Sequence, residues 1–182
     1  MSRGKEIVAI ALALIGCIIA VVACVLPMWK VSVVSKGHLS TVQIIWEGLW
    51  MSCVMQITGH MQCTAYDSME ALPSDLQLAR DMIVIAIITA LLPLTLSFMG
   101  AKCTNCIKDR GFKAKVMIIS GVMFIIAGCL VLIPVHMTRN TTIQFSVHTE
   151  LGASLYFGIG AAALLIIGGL LLCCTCPSQE RR

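Results

Sequence analysis

The sequence predicts a mainly α membrane protein, with four helices crossing a bilayer and a small antiparallel β-sheet outside it. Three observations carry this. The 182 residues are 58% hydrophobic and 12% charged, where soluble domains run at about 45–50% and about 25%, and the mean hydropathy is +0.93. Four runs free of Asp, Glu, Lys and Arg, at 7–26, 82–99, 116–135 and 151–174, come near the length of about 20 residues that spans about 30 Å of hydrocarbon as a helix. The stretch between the first two runs is long and β-branched. What lies outside the runs is too little for a soluble catalytic domain.

Residues 1–6 precede the first span at 7–26, which is too long for a secretory h-region of about 7–15 residues and is followed by three more spans. An even number of spans puts both termini on one side, and the basic residues decide which. The ends and the loop 100–115 hold nine Lys and Arg; the segments 27–81 and 136–150, with their flanks, hold four, namely Lys30, Lys36, Arg80 and Arg139. The termini are therefore expected in the cytoplasm, with 175–182 as a short tail. The net charge of +4 reads as topology and attraction to anionic lipid; no basic patch alternates with aromatics, so no nucleic-acid partner is expected.

In the segment 27–81, Lys30-Val31-Ser32-Val33 alternates and Thr41-Val42-Gln43-Ile44-Ile45-Trp46 is largely β-branched, which predicts a small sheet with Gly37 and Gly59 in turns. Asp67 or Ser68 could cap a short helix, and Ser74, after Pro73, the approach to the second span. Of ten cysteines only Cys53 and Cys63 fall in an oxidising compartment, so they are expected to pair. Cys17, Cys24 and Cys129 lie within spans as small apolar residues. Cys103, Cys106, Cys173, Cys174 and Cys176 sit at cytoplasmic ends of spans. Palmitate acceptance is the favoured reading there, ahead of free thiols and of a metal site built on the Cys103–Cys106 pair, whose spacing alone is weak. No cofactor is expected.

Trp29, then Gly48-Leu49-Trp50, then Cys53 and Cys63 resemble the W…GLW…C…C signature of the claudins, the strand-forming proteins of tight junctions. Arg80 at the start of the second span, Leu26-Pro27-Met28-Trp29-Lys30 and Glu150-Leu151-Gly152-Ala153-Ser154-Leu155-Tyr156 match as well, and the resemblance covers essentially the whole chain. It implies a left-handed four-helix bundle topped by an extracellular sheet, at tight junctions of the plasma membrane, polymerising with itself and other claudins side by side and meeting strands of the next cell. In that family a short helix after the sheet projects an apolar residue into a neighbour's pocket. Met69 is the matching position, and Phe145 the aromatic available for the pocket.

Departures from the family pattern narrow what carries over. Glu70 stands where an apolar residue usually follows the knob, and a charge beside a lateral contact has to be desolvated or turned away, so weaker lateral assembly is expected. The segment 136–150 lacks the aromatic-Asn-Pro-Leu stretch that the resemblance ties to trans adhesion and enterotoxin binding. Both carry over poorly, and 139–147 is read instead as a shorter hairpin adding a strand to the sheet. Asn140-Thr141-Thr142 is an N-glycosylation sequon close to the third span. The tail ends at Glu180-Arg181-Arg182 without the Tyr-Val that binds PDZ domains, so no scaffold is expected through it.

Cation-selective claudins place acids near the second cysteine and in the loop before it, lining a narrow aqueous path. Here Thr64 and Gln56 hold those places, Glu47 and Asp67 discriminate little, and Lys30 adds positive character. A paracellular barrier is the favoured reading, ahead of an anion-leaning pore and a cation pore. A transporter normally needs charges within the membrane, and the spans have none. An enzyme needs a convergent nucleophile and base or a metal cluster, and His38, His60, His136 and His148 are scattered. The alternative is a four-span relative acting as an adhesion protein or as the auxiliary subunit of an ion channel.

Overall fold

A computed structural model describes residues 3–36, 41–55, 59–68, 72–100, 110–145 and 149–175. The elements are α1 (Arg3–Val25), β1 (Lys30–Lys36), β2 (Thr41–Glu47), β3 (Met51–Met55), β4 (Met61–Ala65), α2 (Ser74–Gly100), α3 (Arg110–Phe145), β5 (Thr149–Leu151) and α4 (Ala153–Thr175). All four helices are long and apolar enough to cross a membrane, the form in which a chain satisfies its backbone groups within hydrocarbon.

The helices close into a ring in which α1 and α3 each pack against α2 and α4. Small residues set the closest approach. A Cβ added at Gly121 of α3 would stand 2.7 Å from the Gly169 carbonyl oxygen and 2.7 Å from Cys173 Sγ of α4, so neither helix tolerates a side chain there. Phe124, Val131, Ile83, Leu165 and Leu172 fill the interior, while Ile18, Ile88, Ile119, Ile126 and Ile167 point outward, where lipid solvates them.

Two prolines leave their helices unbroken: Pro93 lies inside α2 and Pro134 inside α3. The second of these matters for the outer side of the molecule. A span at 116–135 followed by a hairpin over 139–147 was the expectation; instead α3 runs to Phe145, 36 residues or about 54 Å. Beyond Pro134 the threonine hydroxyls bond back to helix carbonyls, and packing of one buried face holds the helix. Thr141 Oγ1 donates to the Thr138 carbonyl at 3.0 Å and Thr142 Oγ1 to the same carbonyl at 2.8 Å, while Val135, Thr138 and Thr142 share a buried face. A strand does join the sheet from this segment, but it is the three-residue β5.

The sheet is antiparallel throughout, in the order β4-β3-β2-β1-β5. Gly59, with φ of +78°, lies in the β3–β4 connection, the left-handed conformation that glycine adopts without strain. The start of α2 is marked by Pro73, whose carbonyl accepts from the Leu76 and Gln77 amides at 2.9 and 3.0 Å, and Asp75 lies in its first turn, where a carboxylate suits the helix dipole.

Candidate functional site: the membrane-facing base of the sheet

Sheet and bundle are joined where α1 ends. The Ala23 carbonyl would ordinarily accept from the amide four residues on, but that residue is Pro27 and has no N–H. The Trp29 indole supplies the donor instead, Nε1 to the Ala23 oxygen at 2.9 Å, with both residues at 0% exposure. Ser154 Oγ donates to the Leu26 carbonyl at 3.3 Å, and Trp50 Nε1 to Cys24 Sγ at 3.4 Å. Three side chains from outside α1 thus bond at its end, and one of them, Trp29, replaces a missing backbone donor.

The remaining signature residues make this junction possible. Trp29 and Leu49 enter the same buried cluster as Leu72 and Leu76 near the start of α2. Gly48 turns β2 into β3, its amide donating to the Met51 carbonyl at 3.0 Å, and a Cβ there would collide with the Pro27 backbone. Gly152 passes so close to the Met28 carbonyl that a Cβ would overlap it; the Gly152 amide donates to the Trp29 carbonyl at 3.2 Å. Arg80 lies with its guanidinium 5.2 Å from the Trp50 ring centre, a cation–π contact that ties α2 to the sheet, and 3.9 Å from Asp81.

Cys53 and Cys63 are bonded, with Cα atoms 4.0 Å apart and in direct register across β3 and β4. Trp46 is the β2 partner of Cys53. On an antiparallel sheet directly opposed residues share a face, so the disulfide and Trp46 lie on one face. The neighbouring row lies on the other: Leu151, Lys30, Glu47, Ser52 and Thr64 oppose one another in turn across all five strands.

That row collects three permeability candidates, Lys30, Glu47 and Thr64. Lys30 Nζ reaches Asp75 Oδ2 at 3.6 Å, the two side chains being 12% and 44% exposed. Ser52 and Thr64 hydroxyls stand 3.4 Å apart. Tyr66, whose amide donates to the Trp50 carbonyl at 3.3 Å, sits beside the row: burial, then the Glu47 carboxylate, push its phenol above the ordinary value of 10.0, against a weaker pull downward from Ser52. Asp67 is exposed just after β4. The arrangement offers water a face with hydroxyls and a carboxylate, and no group poised for covalent chemistry.

Residues 3–172 match the model of the PMP-22/EMP/MP20/Claudin family. The chain belongs to this family. Its similar relatives are claudins: it is 50% identical over 187 aligned positions to claudin-4 of Bos taurus, covering 98% of this chain and 90% of the relative. Human claudin-3 is 48% identical over 190 positions, covering 100% and 86%, and human claudin-4 is 48% identical over 186, covering 98% and 89%.

The other expected sites in this claudin-family chain fall unevenly. Met69, Glu70, Gln56, Cys103, Cys106 and Cys176 lie outside the described residues, and Phe145 ends α3. Cys173 packs on α3, its Sγ 3.8 Å from the Ile118 carbonyl, whereas Cys174 is exposed. Asn140 is exposed on α3. Asp75, Ser52 and Tyr66 were not singled out from the sequence as site residues. Asp75 sits in a helix start, which conceals any second role, and the positions of Ser52 and Tyr66 depend on strand register.

Proposed function

We propose that this protein is a structural component of tight junctions that polymerises within the plasma membrane and limits paracellular permeability as a barrier. Family membership and the claudin names of its relatives support the junctional part. The observation that carries the barrier part is the sheet row. Its single cation is engaged by Asp75, its one carboxylate is half-buried Glu47, and the position after Cys63 is the neutral Thr64. A path lined this way keeps one half-buried carboxylate as its fixed charge, too little to concentrate cations as a pore does.

The termini lie in the cytoplasm, as the basic residues argue, and the acylation candidates there are Cys103, Cys106, Cys173, Cys174 and Cys176, with Cys174 exposed among the described residues. Lateral contacts run through Met69 with Glu70 beside it and Phe145. Adhesion to the opposite cell is limited and toxin binding is not expected, because the segment 136–150 lacks the aromatic-Asn-Pro-Leu stretch that the family resemblance ties to both. Expression in a leaky epithelial monolayer tests the reading: resistance rises. A fall in resistance with clear selectivity for one ion would show a pore.

A further inference from the structure

Lys30 and Glu47 are directly opposed on β1 and β2, the arrangement in which opposite charges ordinarily pair across strands. They do not. The Lys30 ammonium turns to Asp75 of α2 at 3.6 Å, and among the described residues Glu47 makes no ion pair. Asp75 is well suited to hold it: it lies in the first turn of α2, where the amide ends favour a carboxylate, and the lysine stem is largely covered, at 12% exposure.

We infer that Asp75 is a specificity-determining positioning residue: by drawing the Lys30 ammonium to the end of α2, it withdraws the cation of the sheet row and leaves Glu47 as that row's fixed charge. The inference rests on the paracellular reading above. Without the Asp75 carboxylate, the nearest acidic group in register with Lys30 is Glu47, and pairing there would cancel the row's negative charge. Asp75 acts through Lys30.

The test compares sodium and chloride by dilution potential across monolayers expressing the full chain, with arrival at cell contacts scored by immunofluorescence. Asp75→Asn is expected to lower the sodium-to-chloride permeability ratio at least about twofold, and Asp75→Glu to preserve it. Against a Lys30→Met background, Asp75→Asn is expected to change nothing further, because Asp75 then has no cation to hold. An equal fall with and without Lys30 would show Asp75 acting by its own field and overturn the inference, as would no fall at all. If Asp75→Asn is retained inside the cell, Glu47→Gln decides the matter: a lowered ratio supports the inference, and an unchanged one contradicts it. A wild-type chain that reaches contacts yet alters neither resistance nor dilution potential sinks the junctional reading, and this inference with it.

Discussion

The Trp29 indole donates its N–H to the Ala23 carbonyl at 2.9 Å, filling the place of the amide that Pro27 lacks. A residue of the extracellular segment thereby completes a transmembrane helix. The sheet is not an appendage, since its first strand begins one residue after the group that closes α1.

Trp29→Ala should accordingly cost about 3–5 kcal/mol, the range for emptying a buried aromatic site. Trp29→Phe keeps most of the volume but strands the Ala23 carbonyl, for a loss of about 1–3 kcal/mol. Thermal unfolding of detergent-purified protein should order the melting temperatures wild type, Phe, Ala; equal values for wild type and Phe would show that the hydrogen bond contributes nothing.

The Cys53–Cys63 bond closes a loop with a sequence separation of 10, for which loop-closure entropy gives a stabilisation of about 2–3 kcal/mol. Cys53→Ser with Cys63→Ser should lower the melting temperature, and reductant should reproduce that shift in wild type while leaving the double variant unmoved.

Helix contact at Gly121 leaves no room for a side chain, whereas a Cβ at Gly160 would meet nothing within 4 Å. Gly121→Leu should prevent a monodisperse peak on size exclusion by forcing α3 and α4 apart. Gly160→Ala should elute as wild type.

Tyr66 predicts a pH dependence. Its phenol is raised above 10.0 by burial and by Glu47, so the folded state holds the proton more tightly than the unfolded one. That stabilisation is fully present below 10.0 and is lost as pH rises through the folded value. Unfolding temperature should therefore fall on the alkaline side more steeply in wild type than in Tyr66→Phe; parallel curves would contradict the assignment.

The sequon at Asn140 lies within α3, and the Thr142 hydroxyl is buried on the Thr138 carbonyl. Glycosidase treatment of protein from expressing cells should leave its mobility unchanged, and Asn140→Gln should comigrate with wild type.

Much of this was legible in the sequence for plain physical reasons. Uncharged runs longer than a soluble helix needs announce the spans, and one pair of cysteines in an oxidising segment has a single way to bond. The helix end at Pro134 was misread because proline followed by His136, Thr138, Arg139 and Asn140 has the composition of a loop; only packing makes 135, 138 and 142 one buried face. Pro27 four residues after Ala23 was a visible signal that a carbonyl lacked its donor, but nothing local named Trp29 as the substitute. The Lys30 partner lay beyond reach because Asp75 is 45 residues away in sequence, and pairing across that distance depends on how the sheet sits on the bundle.

The central claim is that this chain builds junctional strands. Freeze-fracture imaging of junction-free cells expressing the full chain tests it most directly. Continuous intramembrane strands at cell contacts are predicted, sparse in wild type and denser in Glu70→Leu. Smooth fracture faces at contacts where the protein is present in the plasma membrane would contradict the account.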